Sequence, residues 1–134
     1  DLAAGGVPAQ DVLKLAQHVA SARIAQAEKD HRGAIAQFEA AVAVEDRLAY
    51  SEPPFWYYPT RQSLGAAHAL AGNLDNAEQA LRESLARTPN NGWALYGLMK
   101  VYEQRGDRSD ARAAKNLLAK AWIGEPGALE LDRL

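Results

Sequence analysis

The sequence predicts an all-α fold, a solenoid of stacked helix-turn-helix repeats, on three observations. Alanine, leucine, glutamate, glutamine and arginine dominate, while runs alternating Val, Ile, Thr and aromatics are missing, so helices are favoured and strands are not expected. Apolar residues return every three to four positions, as the buried face of a helix requires. Finally, Gly72 and Gly106, Ala77 and Ala111, Ala80 and Ala114, and Leu64 and Leu98 are each 34 residues apart, the period of a repeated helical hairpin.

The elements follow in order. Val12, Leu13, Leu15, Ala16, Val19, Ala22 and Ile24 place a helix over 10–29, and Asp30-His31-Arg32-Gly33 reads as a turn. A second helix carries Ala34, Ile35, Phe38, Ala41, Val42 and Val44 and ends near Tyr50. Pro53, Pro54 and Pro59 then forbid a continuous helix, so Ser51 to Pro59 is an extended loop. Beyond it, 62–70 is helical, Gly72-Asn73 turns, 74–87 is helical, and Thr88-Pro89-Asn90-Asn91-Gly92 breaks the chain again. A further helix spans 93–104, Gly106-Asp107 turns, and Ser109 is a candidate cap for a last helix reaching about Ile123. A short amphipathic tail presents Leu129, Leu131 and Leu134.

The copies resemble the tetratricopeptide repeat family residue by residue. Leu64-Gly65, His68, Gly72, Ala77, Leu81 and Pro89 fall at the motif's spacing, and Leu98, Tyr102, Gly106, Ala111 and Leu118 do so in the next copy. That copy departs at Met99, where the motif has a small residue, and at Lys115, where it has an aromatic. Ala22, Ala25, Ala34, Phe38 and Ala41 match in the first pair, but Ala34 to Ala77 is 43 residues, nine more than the repeat, and the excess falls in the aromatic loop. The resemblance implies one domain over 1–134, a right-handed α-solenoid of three repeats at about 12–50, 60–89 and 91–123, with loop 51–59 between the first two and a tail at 124–134. Each hairpin stacks because it cannot bury its apolar side alone. The stretches Glu52 to Arg61 and Asn91 to Leu95 are also similar to segments of longer bacterial repeat proteins.

Composition excludes several function classes. The formal charge is -2 and the pI about 5.9, with no electrostatic footprint for nucleic acid. No cysteine is present, which removes disulfides, thiolate metal sites and a cysteine nucleophile. No apolar run is long enough to span a bilayer, so the sequence predicts a soluble chain without membrane insertion and leaves its compartment, cytoplasmic or periplasmic, open. The opening Asp-Leu-Ala-Ala-Gly-Gly has no initiator Met, which suggests a piece of a longer protein.

Candidate chemistry is sparse. His18, His31 and His68 lack metal-ligand spacing, and Glu45-Asp46, Glu28-Asp30 and Asp107-Asp110 read as charges at helix ends, so neither a metal, a cofactor nor a catalytic residue is predicted. In the family the first helix of each hairpin lines a concave groove. The resemblance therefore points to Val19, Arg23 and Gln26, to Pro59, Gln62 and Ala66, and to Trp93, Tyr96, Lys100 and Glu103. Trp93, Tyr96 and Lys100 form one stripe, three to four residues apart. The positions at which one subclass clamps chaperone tails read Val19, Arg23, Ser63, Trp93 and Gly97, so that ligand is not predicted. Phe55, Trp56, Tyr57 and Tyr58 either seal the seam between hairpins, tied down by Arg61 or Glu52, or act as binding anchors.

The predicted function is accordingly a non-catalytic scaffold module that receives a peptide or helix in its groove. The alternative is a structural segment that stacks on further repeats or on a second copy, which an uncovered patch of Leu13, Leu15 and Ile24 would favour.

Overall fold

The computed structural model describes residues 8–134. The opening hexapeptide, on which the expectation of a longer parent rests, lies outside the described residues. Among these the fold is all-α, as the composition predicts: α1 (Ala9–Ala27), α2 (His31–Glu45), α3 (Thr60–Leu70), α4 (Leu74–Arg87), α5 (Gly92–Arg105) and α6 (Arg108–Ala121), then 3-10 turns at Pro126–Ala128 and Leu131–Arg133. The chain forms two compact units, one ending at Thr60 and one spanning Arg61–Leu134.

Three hairpin turns share one backbone solution. Lys29, Gly72 and Gly106 take left-handed φ values of 60°, 80° and 86°. The next residue in each case returns a hydrogen bond across the helix end: Asp30 N–H to Ala25 O at 2.8 Å, Asn73 to His68 at 2.9 Å, and Asp107 to Tyr102 at 2.9 Å. Lys29, Gly72 and Gly106 donate in turn to Gln26, Ala69 and Glu103. This double closure satisfies carbonyls that a helix end would otherwise leave orphaned.

The first turn corrects the expectation, for it centres on Lys29 rather than on Asp30 to Gly33. Gly33 lies inside α2, where its N–H is accepted by the Asp30 side chain at 2.9 Å. Lysine occupies the left-handed position that glycine marks in the other two turns, so the sequence lost its usual signal there. His31 opens α2 rather than sitting in a turn. Likewise Asp107, not Ser109, precedes α6, which stops at Ala121 because Trp122 adopts extended backbone.

In the first unit Leu15, Ala22, Ala34, Phe38, Ala41 and Val44 are buried between α1 and α2. The loop over 51–59 is fastened within this unit. The Trp56 indole donates to Thr60 Oγ1 at 3.2 Å, Trp56 and Tyr58 meet edge to face at 6.4 Å, and Arg23 donates to the Tyr58 hydroxyl at 2.5 Å. Arg23 is thus a tether of the loop. Arg61 pairs with Glu83 at 3.3 Å, and Glu52 accepts from the Tyr50 hydroxyl. Leu15 is fully buried while Leu13 and Ile24 are 65% and 60% exposed, so the anticipated apolar patch comprises only the latter two.

The second unit has its own core of Ala69, Ala77, Leu81, Ala94, Leu98, Val101, Tyr102 and Ala114. Small residues set the helix separations. A β-carbon on Gly65 would stand 2.5 Å from Leu81 Cγ, and one on Gly97 would stand 2.8 Å from Leu81 Cδ2. One leucine therefore packs directly on the backbones of α3 and α5. His68 is buried, in keeping with the packing role its motif position implies.

Candidate functional site

The start of α5 is fixed by Asn91. Its side-chain oxygen accepts from the N–H groups of Trp93 at 3.1 Å and Ala94 at 3.4 Å, and its amide donates to Gln62 Oε1 at 2.8 Å. Capping thus sets the phase of the helix and consumes Gln62, which is buried.

From that cap, Trp93, Tyr96, Lys100 and Glu103 descend along α5 at helical spacing. Trp93 meets Trp122 edge to face, with ring centroids 5.3 Å apart and planes at 81°. The close approach of Trp122 depends on Gly92, whose β-carbon would come 2.8 Å from the indole. The Lys100 ammonium lies 5.9 Å from the Tyr96 ring centre and pairs with Glu103 at 2.9 Å. The neighbouring Glu103 raises the lysine pKa above its ordinary value, which holds the ammonium in its charged form. Beside it opens a mostly apolar cavity of about 390 Å³ lined by Tyr96, Met99, Leu118, Ala119, Trp122, Gly124 and Leu129, with Lys115 as its charged member. Aromatic rings, one paired cation and an adjoining apolar hollow are the elements of a surface that holds a side-chain anchor.

The far end of α5 is ionic. Glu78 on α4 accepts from Arg105 at 2.7 Å, Arg82 at 2.8 Å and the Tyr102 hydroxyl at 2.9 Å. The Arg105 and Arg82 guanidinium groups hold its pKa down from 4.5 to about 2. This network ties α4 to α5 and leaves the stripe on a fixed support.

The other residues singled out by sequence lie elsewhere. Arg23 and Gln26 belong to the first unit, bonded to each other at 3.0 Å, with the Arg23 guanidinium also 5.5 Å from the Phe38 ring centre. Trp56 and Tyr58 are half-buried in the loop's own fastening, whereas Tyr57 is 89% exposed. Sequence reasoning missed Trp122 and the insertion of the tail leucines. Leu129 and Leu134 are buried, and Leu131 packs on the core of the second unit. Gly92, 30 residues before Trp122, carried the signal for the first, since only a missing side chain leaves room for an indole.

Residues 68–121 match a family model described as tetratricopeptide repeat. Cellulose synthase 1 operon protein C of Komagataeibacter xylinus is 36% identical over 63 residues, a match covering 47% of this chain and 5% of that protein. The chain thus matches only a small fraction of that relative's length. No solved structure matches the chain.

Proposed function

We propose, taking as premise that this chain carries tetratricopeptide repeats over residues 68–121, that it is a non-catalytic module binding a polypeptide segment along α5. Such repeats generally mediate contact between proteins. The observation that carries the reading is the half-exposed Tyr96 ring, with Lys100 beside it, on the rim of the 390 Å³ apolar cavity. A partner would insert an apolar side chain beside Tyr96 and place an acceptor near Lys100. In this reading the three hairpins are successive repeats, and Gln62 acts by holding Asn91.

The test is capture of partners from cell extract by the intact chain and by Tyr96→Ala, Lys100→Glu and Trp93→Ala variants of unchanged helix content. Loss of the same partners in the first two supports the reading. Capture of an identical set by all variants rejects it. Since Trp93 also packs on Trp122, its substitution alone does not decide the matter.

A second reading, stacking on another helical repeat or a second copy, is favoured by Leu13 and Ile24, which are exposed at 65% and 60% on one side of α1. Among the described residues no helix is long and apolar enough to cross a membrane, so those side chains are not part of a spanning helix. Sedimentation that stays monomeric at every concentration counts against self-association.

A further inference from the structure

The face of α5 already holds a guest from its own chain. Segment 124–134 leaves α6 at Trp122, whose indole donates to Glu125 O at 3.1 Å, and comes back over α3 and α5. Leu129 is 5% exposed and Leu134 fully buried. Between them Glu130, Asp132 and Arg133 are exposed, with Glu130 and Arg133 paired at 3.2 Å. The segment is therefore held by leucines on one side and wetted by charges on the other.

Its seat is shaped for it. The Ser63 hydroxyl, fully buried on α3, donates to the main-chain oxygen of Leu134 across 71 residues of sequence. Gly97 supplies the space, since a β-carbon there would stand 3.1 Å from Leu134 Cδ2. A backbone acceptor taken by a buried hydroxyl, with a leucine beside it over a glycine, is how a groove reads an extended ligand. Yet the fit is incomplete. The 390 Å³ cavity remains between Leu129 and the rings of Tyr96 and Trp122, and the segment's own structure amounts to two three-residue 3-10 turns. A strap with few internal bonds and an unfilled hollow beside it opens more readily than the helices it covers.

We propose that segment 124–134 is an internal ligand that occupies the α5 face, and that the partner fitting this face is a short segment of another polypeptide with the same leucine pattern. That partner carries apolar residues at the spacing of Leu129, Leu131 and Leu134, and it binds by displacing the strap. The inference rests on the reading of α5 as the binding face and adds what that face selects and how it is closed.

The experiment uses a fluorescein-labelled, C-terminally amidated peptide of sequence 124–134, titrated by anisotropy. The targets are the full chain, the full chain with Leu131→Asp and Leu134→Asp, and that variant with Ser63→Ala added, which removes the hydroxyl that meets the Leu134 oxygen. The expected result is binding at least tenfold tighter to the strap-released chain than to the unmodified one, and binding at least about fivefold weaker once Ser63→Ala removes the hydroxyl. Equal affinity for the first two, or no binding to the released chain, overturns the proposal.

Should the double variant lose helix content, hydrogen exchange of the unmodified chain decides. The Leu134 amide, bonded to Leu131 O at 3.3 Å, is expected to exchange at least tenfold faster than amides in the middle of α5. Exchange of both together overturns the proposal by making the strap part of the core. Peptide binding without any effect of Tyr96→Ala on partner capture removes only the wider function. Capture that depends on Tyr96 but ignores the peptide removes only the strap.

Discussion

The Tyr102 hydroxyl donates to the Glu78 carboxylate at 2.9 Å while accepting from Arg82 at 2.8 Å, which joins the middle of α4 to the last turn of α5. Burial and the neighbouring Glu78 both raise the tyrosine pKa, so the hydroxyl keeps its proton and remains a donor.

Acid should loosen this joint. The folded-state pKa of Glu78 lies at about 2, below the ordinary 4.5, so its stabilising contribution is complete above pH 4.5 and fades as pH falls toward 2. Glu78→Gln should therefore cost about 1–3 kcal/mol at pH 7 and little at pH 2. Urea midpoints of both proteins across that range should converge at the acid end, and a constant gap would show that the charge is not what matters.

Gly65→Ala should destabilise the second unit by about 1–3 kcal/mol, because its new β-carbon would stand 2.5 Å from Leu81 Cγ. In a double-mutant cycle, Leu81→Ala should remove most of that penalty by vacating the contested space. Additive losses would mean that the two groups do not compete.

Asn91→Ala should cost about 1–3 kcal/mol, for it removes the cap of α5 and strands the buried Gln62 oxygen. Ser109→Ala, inside α6, should fall within about 0.5 kcal/mol of the unmodified chain. Thermal melts of the two variants distinguish a cap from a surface position.

Lys29→Gly should stabilise the first hairpin by about 0.5–1 kcal/mol, since relief of a left-handed lysine outweighs the added freedom of glycine in the unfolded chain. The mirror change Gly72→Lys should lose a similar amount. A rise in urea midpoint for the first and a fall for the second is the expected pair of results.

The helices were legible because their signals are local. A period of 3.6 and a 34-residue recurrence survive in any stretch of chain, and Gly72 and Gly106 announce their turns outright. The first turn was misplaced because Lys29 does the work of a glycine, its backbone held by hydrogen bonds to α1 that leave no trace in composition. At the candidate site the α5 stripe was legible from spacing alone. The burial of Gln62, the pairing of Trp93 with Trp122 and the return of Leu134 to Ser63 were not, because each joins residues 29 to 71 positions apart through tertiary contact. Arg23 shows the same limit. Its register suits a groove, but its guanidinium donates to Gln26 and to Tyr58, the latter in a loop without counterpart in the other hairpins.

The Trp93 and Trp122 rings, 5.3 Å apart and nearly perpendicular, give the second unit a built-in optical gauge. Two indoles this close couple their electronic transitions, so the near-ultraviolet dichroism of the pair reports their mutual angle. Trp122 stands at the root of the strap and Trp93 at the head of α5. Seating, release and replacement of the strap can thus be followed in unlabelled protein, with Trp56 in the other unit as a spectator.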